Sequence, residues 1–275
     1  MSETAFQHVY FADILFEDAP CIDVDKLCTA MQRYCGNVKM ERHPDGGFQF
    51  FHLDHPIQFD DGSALPQAVI SAARGPVVQD QLSAALGQSW DWPEAEEIVP
   101  RHRFSLIFCD LFASRLDYKL RLRLFKNSLR ALLDVTSPLA IHWRSSQQVV
   151  SPEAFRRSFS PEQFDEVYPA VNVRLFNITD SSNKAMLMDS LGLAALGIPD
   201  VQCHFAGIEA NAMARQLYDC AYYLFEHGDI IQDGEVVDGI APGQHWRCQH
   251  EIAMLAPERV VLDLNPGAPY AQGNR

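Results

Sequence analysis

The sequence predicts an α+β fold of mixed and antiparallel sheets with packed helices, arranged as two lobes. Three observations carry this. Short strand-like runs recur along the chain, two long amphipathic helical patterns interrupt them, and charge is segregated by position. The 275 residues include 22 Lys+Arg and 36 Asp+Glu, a formal net charge of −14, with 47% hydrophobic and 21% charged residues. That composition belongs to a globular chain able to bury a large core in one domain or two. Residues 1–100 hold 5 basic and 16 acidic residues, residues 101–160 hold 11 and 4, and residues 161–275 hold 6 and 16. A basic middle between two acidic stretches argues against a surface that docks wholesale on nucleic acid or an anionic membrane.

The elements follow in order. A strand at His8–Phe16 precedes a helix at Asp23–Tyr34, with Asp23 as N-cap, Leu27, Met31 and Tyr34 at helical spacing, and Gly36 as the stop. Asn37–Glu41 and Phe48–Leu53 read as strands joined through the turn residues Pro44-Asp45-Gly46-Gly47. A strand at Gln67–Ala73 leads to a helix at Val77–Leu86, and Pro93 sits in the first turn of a short helix from Asp91 to Glu97. Phe104–Cys109 is a buried-type strand, a long helix spans Leu116–Leu133, and Pro138–Trp143 returns as a strand. That succession suits a crossover unit with its helix packed on a sheet.

Ser151-Pro152-Glu153 and Ser160-Pro161-Glu162 both carry helix-start chemistry. The proline-containing, weakly periodic stretch 151–170 places the domain boundary, giving lobes at 1–160 and 161–264 and a flexible tail at 265–275. In the second lobe Val171–Ile178, Ala185–Met188 and Val201–Phe205 are strands, and Leu191–Leu196 is an apolar helical turn closed by Gly197. A long helix at Ala210–His227 carries the stripe Met213, Leu217, Cys220 and Leu224, with Gly228 as its cap. Ile230–Val237 reads as a hairpin around Asp233-Gly234, and Trp246–Leu255 and Val260–Leu264 are the last strands.

Chemistry is harder to find. The phosphate loop, the dinucleotide fingerprint, the nucleophile elbow and the His-Glu-x-x-His motif are all missing. No catalytic residue, cofactor or metal is therefore assigned. Two clusters keep an enzyme with a non-standard, metal-assisted site open as the alternative: His52-Leu53-Asp54-His55, and His245 with Cys248 and His250, supplemented by Cys203-His204. Neither shows the spacing of the three or four convergent ligands that zinc needs; the favoured readings are polar residues at a strand end before Pro56, and a strand with Trp246 and Cys248 interior. Asp110 occupies a strand end where catalytic acids are displayed, and is equally a cap or turn residue.

Arg115, Lys119, Arg123, Lys126 and Arg130 are spaced by 4, 4, 3 and 4, one stripe along the long central helix. It reads as a solvated or internally paired face, or alternatively as a phosphate-binding one. Acidic counterparts are Asp45, Asp54, Asp60, Asp61, Asp80, Asp91, Glu94, Glu96 and Glu97, against Arg74 as the one cation between residues 44 and 100. Between Arg215 and Arg247 no Lys or Arg occurs, yet Asp219, Glu226, Asp229, Asp233, Glu235 and Asp238 do. The candidate partner-binding residues are Asp91, Glu94, Glu96, Glu97, Asp229, Asp233, Glu235 and Asp238, since acidic surfaces steer cationic proteins.

The opening residues, Met1-Ser2-Glu3-Thr4-Ala5-Phe6-Gln7-His8, lack a signal peptide's basic region and apolar run. The seven cysteines contain no Cys-x-x-Cys pair, and Cys28 and Cys35 stand two helical turns apart, as reduced thiols of a cytoplasmic protein would.

At Leu191-Gly-Leu-Ala-Ala-Leu-Gly-Ile-Pro-Asp-Val and Ala221-Tyr-Tyr-Leu-Phe-Glu-His-Gly-Asp the chain resembles a bacterial family, domain of unknown function 4261. The likeness extends upstream through Trp90-Asp-Trp-Pro-Glu-Ala, His102, Ser105–Phe108 and Ile141-His-Trp-Arg-Ser, from roughly residue 10 to 265. The shared motifs are fold-like, so the resemblance implies a fold and assigns no catalytic residue. Acidic α+β proteins of this type also resemble immunity proteins that neutralise secreted toxins, including type VI secretion effectors. The resulting expectation is a cytoplasmic binding protein whose partner is a cognate cationic toxin or effector. Membrane and nucleic acid are not expected partners, and a homo-oligomer is left open.

Overall fold

The computed structural model of the protein describes residues 6–59, 62–178 and 184–273, so Asp60 and Asp61 of the acidic series lie outside the described residues. The chain divides into two units, residues 8–169 and residues 170–275 with 1–7. The described residues form an α+β protein with mixed, mainly antiparallel sheets. No helix among them is long and apolar enough to cross a membrane.

The first unit contains, in chain order, β1 (Phe11–Phe16), α1 (Val24–Cys35), β2 (Val38–Arg42), β3 (Phe48–His52), β4 (Ile57–Phe59), β5 (Gly62–Ala64), β6 (Gln67–Ile70), α2 (Gln79–Leu86), α3 (Ala95–Ile98), β7 (Phe104–Leu111), α4 (Tyr118–Asp134), β8 (Ala140–Trp143), β9 (Gln148–Val150) and α5 (Pro152–Arg157). Seven strands form one antiparallel sheet in the order β2-β3-β6-β7-β1-β8-β9, with β4 and β5 as a separate small hairpin. Because β1 lies between β7 and β8, the β7-α4-β8 crossover spans an intervening antiparallel strand, a split βαβ arrangement. The expected crossover is there; β4, β5 and β9 are too short for a periodicity to announce them.

Alternation sets the core. Ala12, Ile14, Phe16, Leu106, Phe108, Ile141 and Trp143 are buried on one face of the sheet. Phe125 of α4 meets Tyr10, Phe108 and Trp143 edge-on, with ring centroids 5.8, 4.7 and 4.9 Å away. At one end of the opposite face Leu15, Ala140 and Val149 pack under Leu82, Ala85, Ala95 and Val99. Asp23 and Asp117 cap α1 and α4 by accepting the amides of Lys26 and Leu120.

Three expectations about boundaries are corrected. The first unit runs past residue 160, because Lys126 donates to the Asp165 and Glu166 carbonyls and Asp165 accepts the Val167 and Tyr168 amides. Ser160-Pro161-Glu162 forms a turn inside that segment and starts no helix. The tail expected to be flexible from 265 is docked through residue 273: Ala206 donates to the Tyr270 carbonyl, Gln272 donates to that of His204, and Phe205 bridges Ala271.

The second unit contains β10 (Asn172–Asn177), β11 (Met186–Leu191), α6 (Leu193–Leu196), β12 (Asp200–Phe205), α7 (Ala210–His227), β13 (Val236–Asp238), β14 (His245–Ile252) and β15 (Val260–Asn265). Its sheet order is β10-β11-β12-β15-β14-β13, antiparallel except for the β12–β15 pair. The expected hairpin over Ile230–Val237 does not form. β13 pairs with β14, and Ile230 and Ile231 lie in the connection before it, where Gly234 donates to the Cys248 carbonyl. Asp233-Gly234 has turn chemistry, but the antiparallel partner of β13 comes from further along the chain.

Met188, Cys203, Cys248 and Leu264 lie on one face of this sheet, the face to which the stripe Met213, Leu217, Cys220 and Leu224 of α7 belongs. The other face is polar. Arg174, Asp189, Gln202, Asp263 and Gln249 stand directly opposite one another across five strands. Arg174 grips Asp189 through two bonds of 2.9 and 2.6 Å. Arg259 donates through Nη2 to Asp189 at 2.7 Å and through Nε to Asp200 at 2.9 Å. Arg259, Asp189 and Asp200 are each at most 1% exposed.

Asp200 also accepts the Ser190 hydroxyl and the amides of Gly192, Leu193 and Ala194, which orients the first turn of α6. Gly192 makes this fit possible. Its φ is +137°, and a Cβ there would stand 1.8 Å from the Ala170 carbonyl oxygen.

Arg259→Met takes the paired cation from buried Asp200 and one of the two from buried Asp189, and its expected cost in urea denaturation is about 3–5 kcal/mol. Arg157→Ala removes only an exposed i,i+4 pair with Glu153, and its expected cost is below about 1 kcal/mol. Equal losses in the two variants would contradict the ranking.

Candidate protein interaction surface

The eight acidic candidates fall into two groups. Asp91, Glu94, Glu96 and Glu97 are exposed around the short helix α3 of the first unit. Partial burial raises the Asp91 carboxyl above its ordinary value. Asp229, Asp233, Glu235 and Asp238 are exposed in the second unit, on the segment that joins α7 to β14.

The second group surrounds a built feature. Tyr223 of α7, Ile230, Ile231, Glu235, Val236 and Val237 line an open depression of about 480 Å³. Tyr223, Ile230 and Val236 are 44%, 50% and 57% exposed, and Ile240 nearby in sequence is 40% exposed. Solvated aliphatic and aromatic side chains gathered in one depression make it a candidate interaction surface, where scattered ones would not. The Tyr223 ring is braced by His227, stacked at 4.3 Å between centroids one turn along α7. Tyr223 lies off the helix's core stripe, which was the one sequence signal for it; Ile230 and Val236 read as hairpin strand residues and gave none.

Two contacts fix the segment. Gln216 of α7 donates to the Asp238 carbonyl at 2.7 Å, tying the helix to the outermost strand β13. His250 of β14 is held between carboxylates, with Nδ1 2.8 Å from Asp233 and Nε2 2.9 Å from Asp229, and its backbone amide also donates to Asp233. Burial disfavours the charged ring, but the two carboxylates outweigh it and raise the imidazole above its ordinary value. Asp233 is correspondingly lowered by the backbone and side-chain hydrogen bonds from His250.

The clusters that kept an enzyme alternative open do not converge. His245 lies 3.4 Å from Asp238, while Cys248 is buried and its thiol is pushed up to about 11 by burial. In the other cluster Asp54 accepts the Asn37 amide, and His52 is 3% exposed with Nδ1 lacking a hydrogen-bond partner. No three His, Cys, Asp or Glu side chains are placed to hold a metal ion among the described residues. Asp110, read as a display position for an acid, is instead internal: it accepts the Tyr10 amide and two bonds from buried Arg121, whose guanidinium stacks over the Tyr10 ring.

The basic stripe is largely used inside the first unit. Arg115 precedes α4 and lies over Phe59, and Arg123 reaches to 3.6 Å from Glu166. Lys126 is 3% exposed and its amine is lowered to about 8 by burial. Arg130 sits between the rings of Tyr34 and Phe159, at 4.2 and 4.7 Å. The internally paired reading of the stripe is the one the geometry favours.

Residues 189–265 match the family described as Domain of unknown function (DUF4261). The match runs from the second half of β11 through β15, including Asp189, Asp200 and Arg259 and every residue of the depression. No curated protein and no solved structure matches the chain.

Burial lowers His52 from 6.5 to about 4. A lowered imidazole is kept neutral by the fold, so the unfolded chain takes up its proton first. Stability is therefore lost as pH falls from 6.5 towards 4, by a term on the order of 3 kcal/mol. His52→Leu removes that term, and its urea midpoint is expected to fall less steeply than wild type over this range. Parallel pH profiles would refute the assignment.

Proposed function

We propose that this is a cytoplasmic, immunity-type binding protein that neutralises a cationic toxin, such as a secreted nuclease effector, through acidic surface. The observation that carries the reading is the depression of Tyr223, Ile230 and Val236 on a segment with four exposed carboxylates and no Lys or Arg from residue 216 to 246. Apolar side chains in a concavity supply the anchor that is dehydrated on binding, and the carboxylates supply steering and selectivity for positive charge. The absence of standard catalytic motifs in the sequence is consistent with action by occlusion. The carboxylates around α3 are a second acidic area of the same sign, in the other unit.

The test is co-expression with the toxin encoded beside its gene, followed by measurement of the complex. The expected result is protection of the cell and a complex that weakens with salt. Tyr223→Ala should weaken it by about 2 kcal/mol, some thirtyfold. Asp238→Lys should act mainly on the association rate. Neither protection nor a complex, or a complex indifferent to both substitutions, would overturn the proposal.

A further inference from the structure

The depression rests on a loop that has no regular secondary structure. Between the end of α7 at His227 and the start of β13 at Val236, the chain carries Ile230, Ile231 and Glu235 into the depression. Backbone bonds tie its C-terminal end to β14, from Gly234 to the Cys248 carbonyl and from Cys248 to the Glu235 carbonyl, and the side-chain tie between Asp229 and Asp233 is one ring. His250 of β14 contacts Asp229 before the two isoleucines and Asp233 after them, so a single imidazole brackets the apolar part of the loop.

Both ring nitrogens face carboxylate oxygens, at 2.8 and 2.9 Å. Only the imidazolium has a proton on each nitrogen, so only the charged ring donates to both carboxylates. A neutral ring donates to one and turns a lone pair on the other. We propose that His250 is a proton-operated latch that holds the Asp229–Asp233 loop, and with it the docking depression, in its binding-ready form. This inference rests on the depression being the docking surface.

The surroundings agree in sign. Besides Asp229 and Asp233, the charged or titratable groups of the adjoining elements are Cys220, Tyr222, Tyr223, Glu226 and His227 in the last turns of α7, Glu235 before β13 and Asp238 on it, Asp263 on β15, and His245, Arg247, Cys248 and Glu251 on β14 itself. Asp263 stands opposite Gln249, on the sheet face away from His250, and Leu262 stands opposite His250. Arg247 is also of opposite parity to His250 along β14 and reaches towards Gly234. The neighbouring carboxylates all favour the imidazolium, and the ring is raised above 6.5. A raised histidine contributes fully below 6.5, and its contribution is lost as pH rises through the raised value.

The experiment needs no partner. Hydrogen exchange of residues 229–236 is followed in the full chain at pH 6 and pH 9, each corrected for the intrinsic exchange rate, together with the His250 ring resonances. Wild-type protection of this loop should therefore fall severalfold across the range, while α7 remains protected. His250→Gln, which donates through one group only, should show low protection at both pH values, and Asp229→Asn should reduce the pH step.

Equal wild-type protection at both pH values, or an unchanged step in His250→Gln, would overturn the latch. Failure of Tyr223→Ala to weaken a toxin complex while the pH step persists would overturn the docking reading and leave the latch standing. A docking surface confirmed by Tyr223→Ala with no pH step would do the reverse.

Discussion

The guanidinium of Arg259 is the constraint on which the second unit depends. It bonds Asp189 on β11, Asp200 at the start of β12, and the carbonyls of Ser190, Leu255 and Pro257. One side chain thus fixes two strands and the connection between β14 and β15. Buried charges are costly unless every donor and acceptor is matched, and here the arginine's donors end on carboxylates or carbonyls. Asp200 passes the constraint on to α6 through three backbone amides, and the Ser190 hydroxyl that donates to Asp200 itself accepts the Val201 amide. Such a network rewards one register only, because a slip of one residue would carry Asp189 to the apolar face beside α7.

Much of the fold could be read in advance where periodicity or caps are strong. The helix at Ala210–His227 was bounded correctly by its stripe and by Gly228, and the Phe104 strand, long helix and Ala140 strand were recognisable as a crossover. What escaped was set by long-range pairing. Ile230–Val237 has the local chemistry of a hairpin, yet β13 finds its partner in β14. The tail after Asn265 has turn-forming residues, yet it adds backbone bonds at the end of β12. Local propensity carries no information about a partner supplied by another part of the chain.

The charged residues show the same limit. Charge counting located the acidic segment before β14 but could not distinguish solvated carboxylates from those holding an imidazole. It likewise grouped Lys126 with Arg115 and Arg123, although Lys126 faces inward to the carbonyls of Asp165 and Glu166. Arg121, midway between Lys119 and Arg123 but outside that stripe, belongs to the core with Asp110. Helical spacing gives a side chain's direction, and whether that direction meets solvent or another segment depends on what packs there.

The bond from Gln216 to the Asp238 carbonyl has an implication for the outer edge of this sheet. A sheet that ends in a short strand next to exposed valine and isoleucine is a template on which identical chains can add strands and grow into fibres. Occupying a backbone acceptor of β13 with a helix side chain removes a rung from that ladder, and the surrounding like charge opposes strand addition by a second copy. The depression can therefore stay uncovered without offering that rung to an added strand.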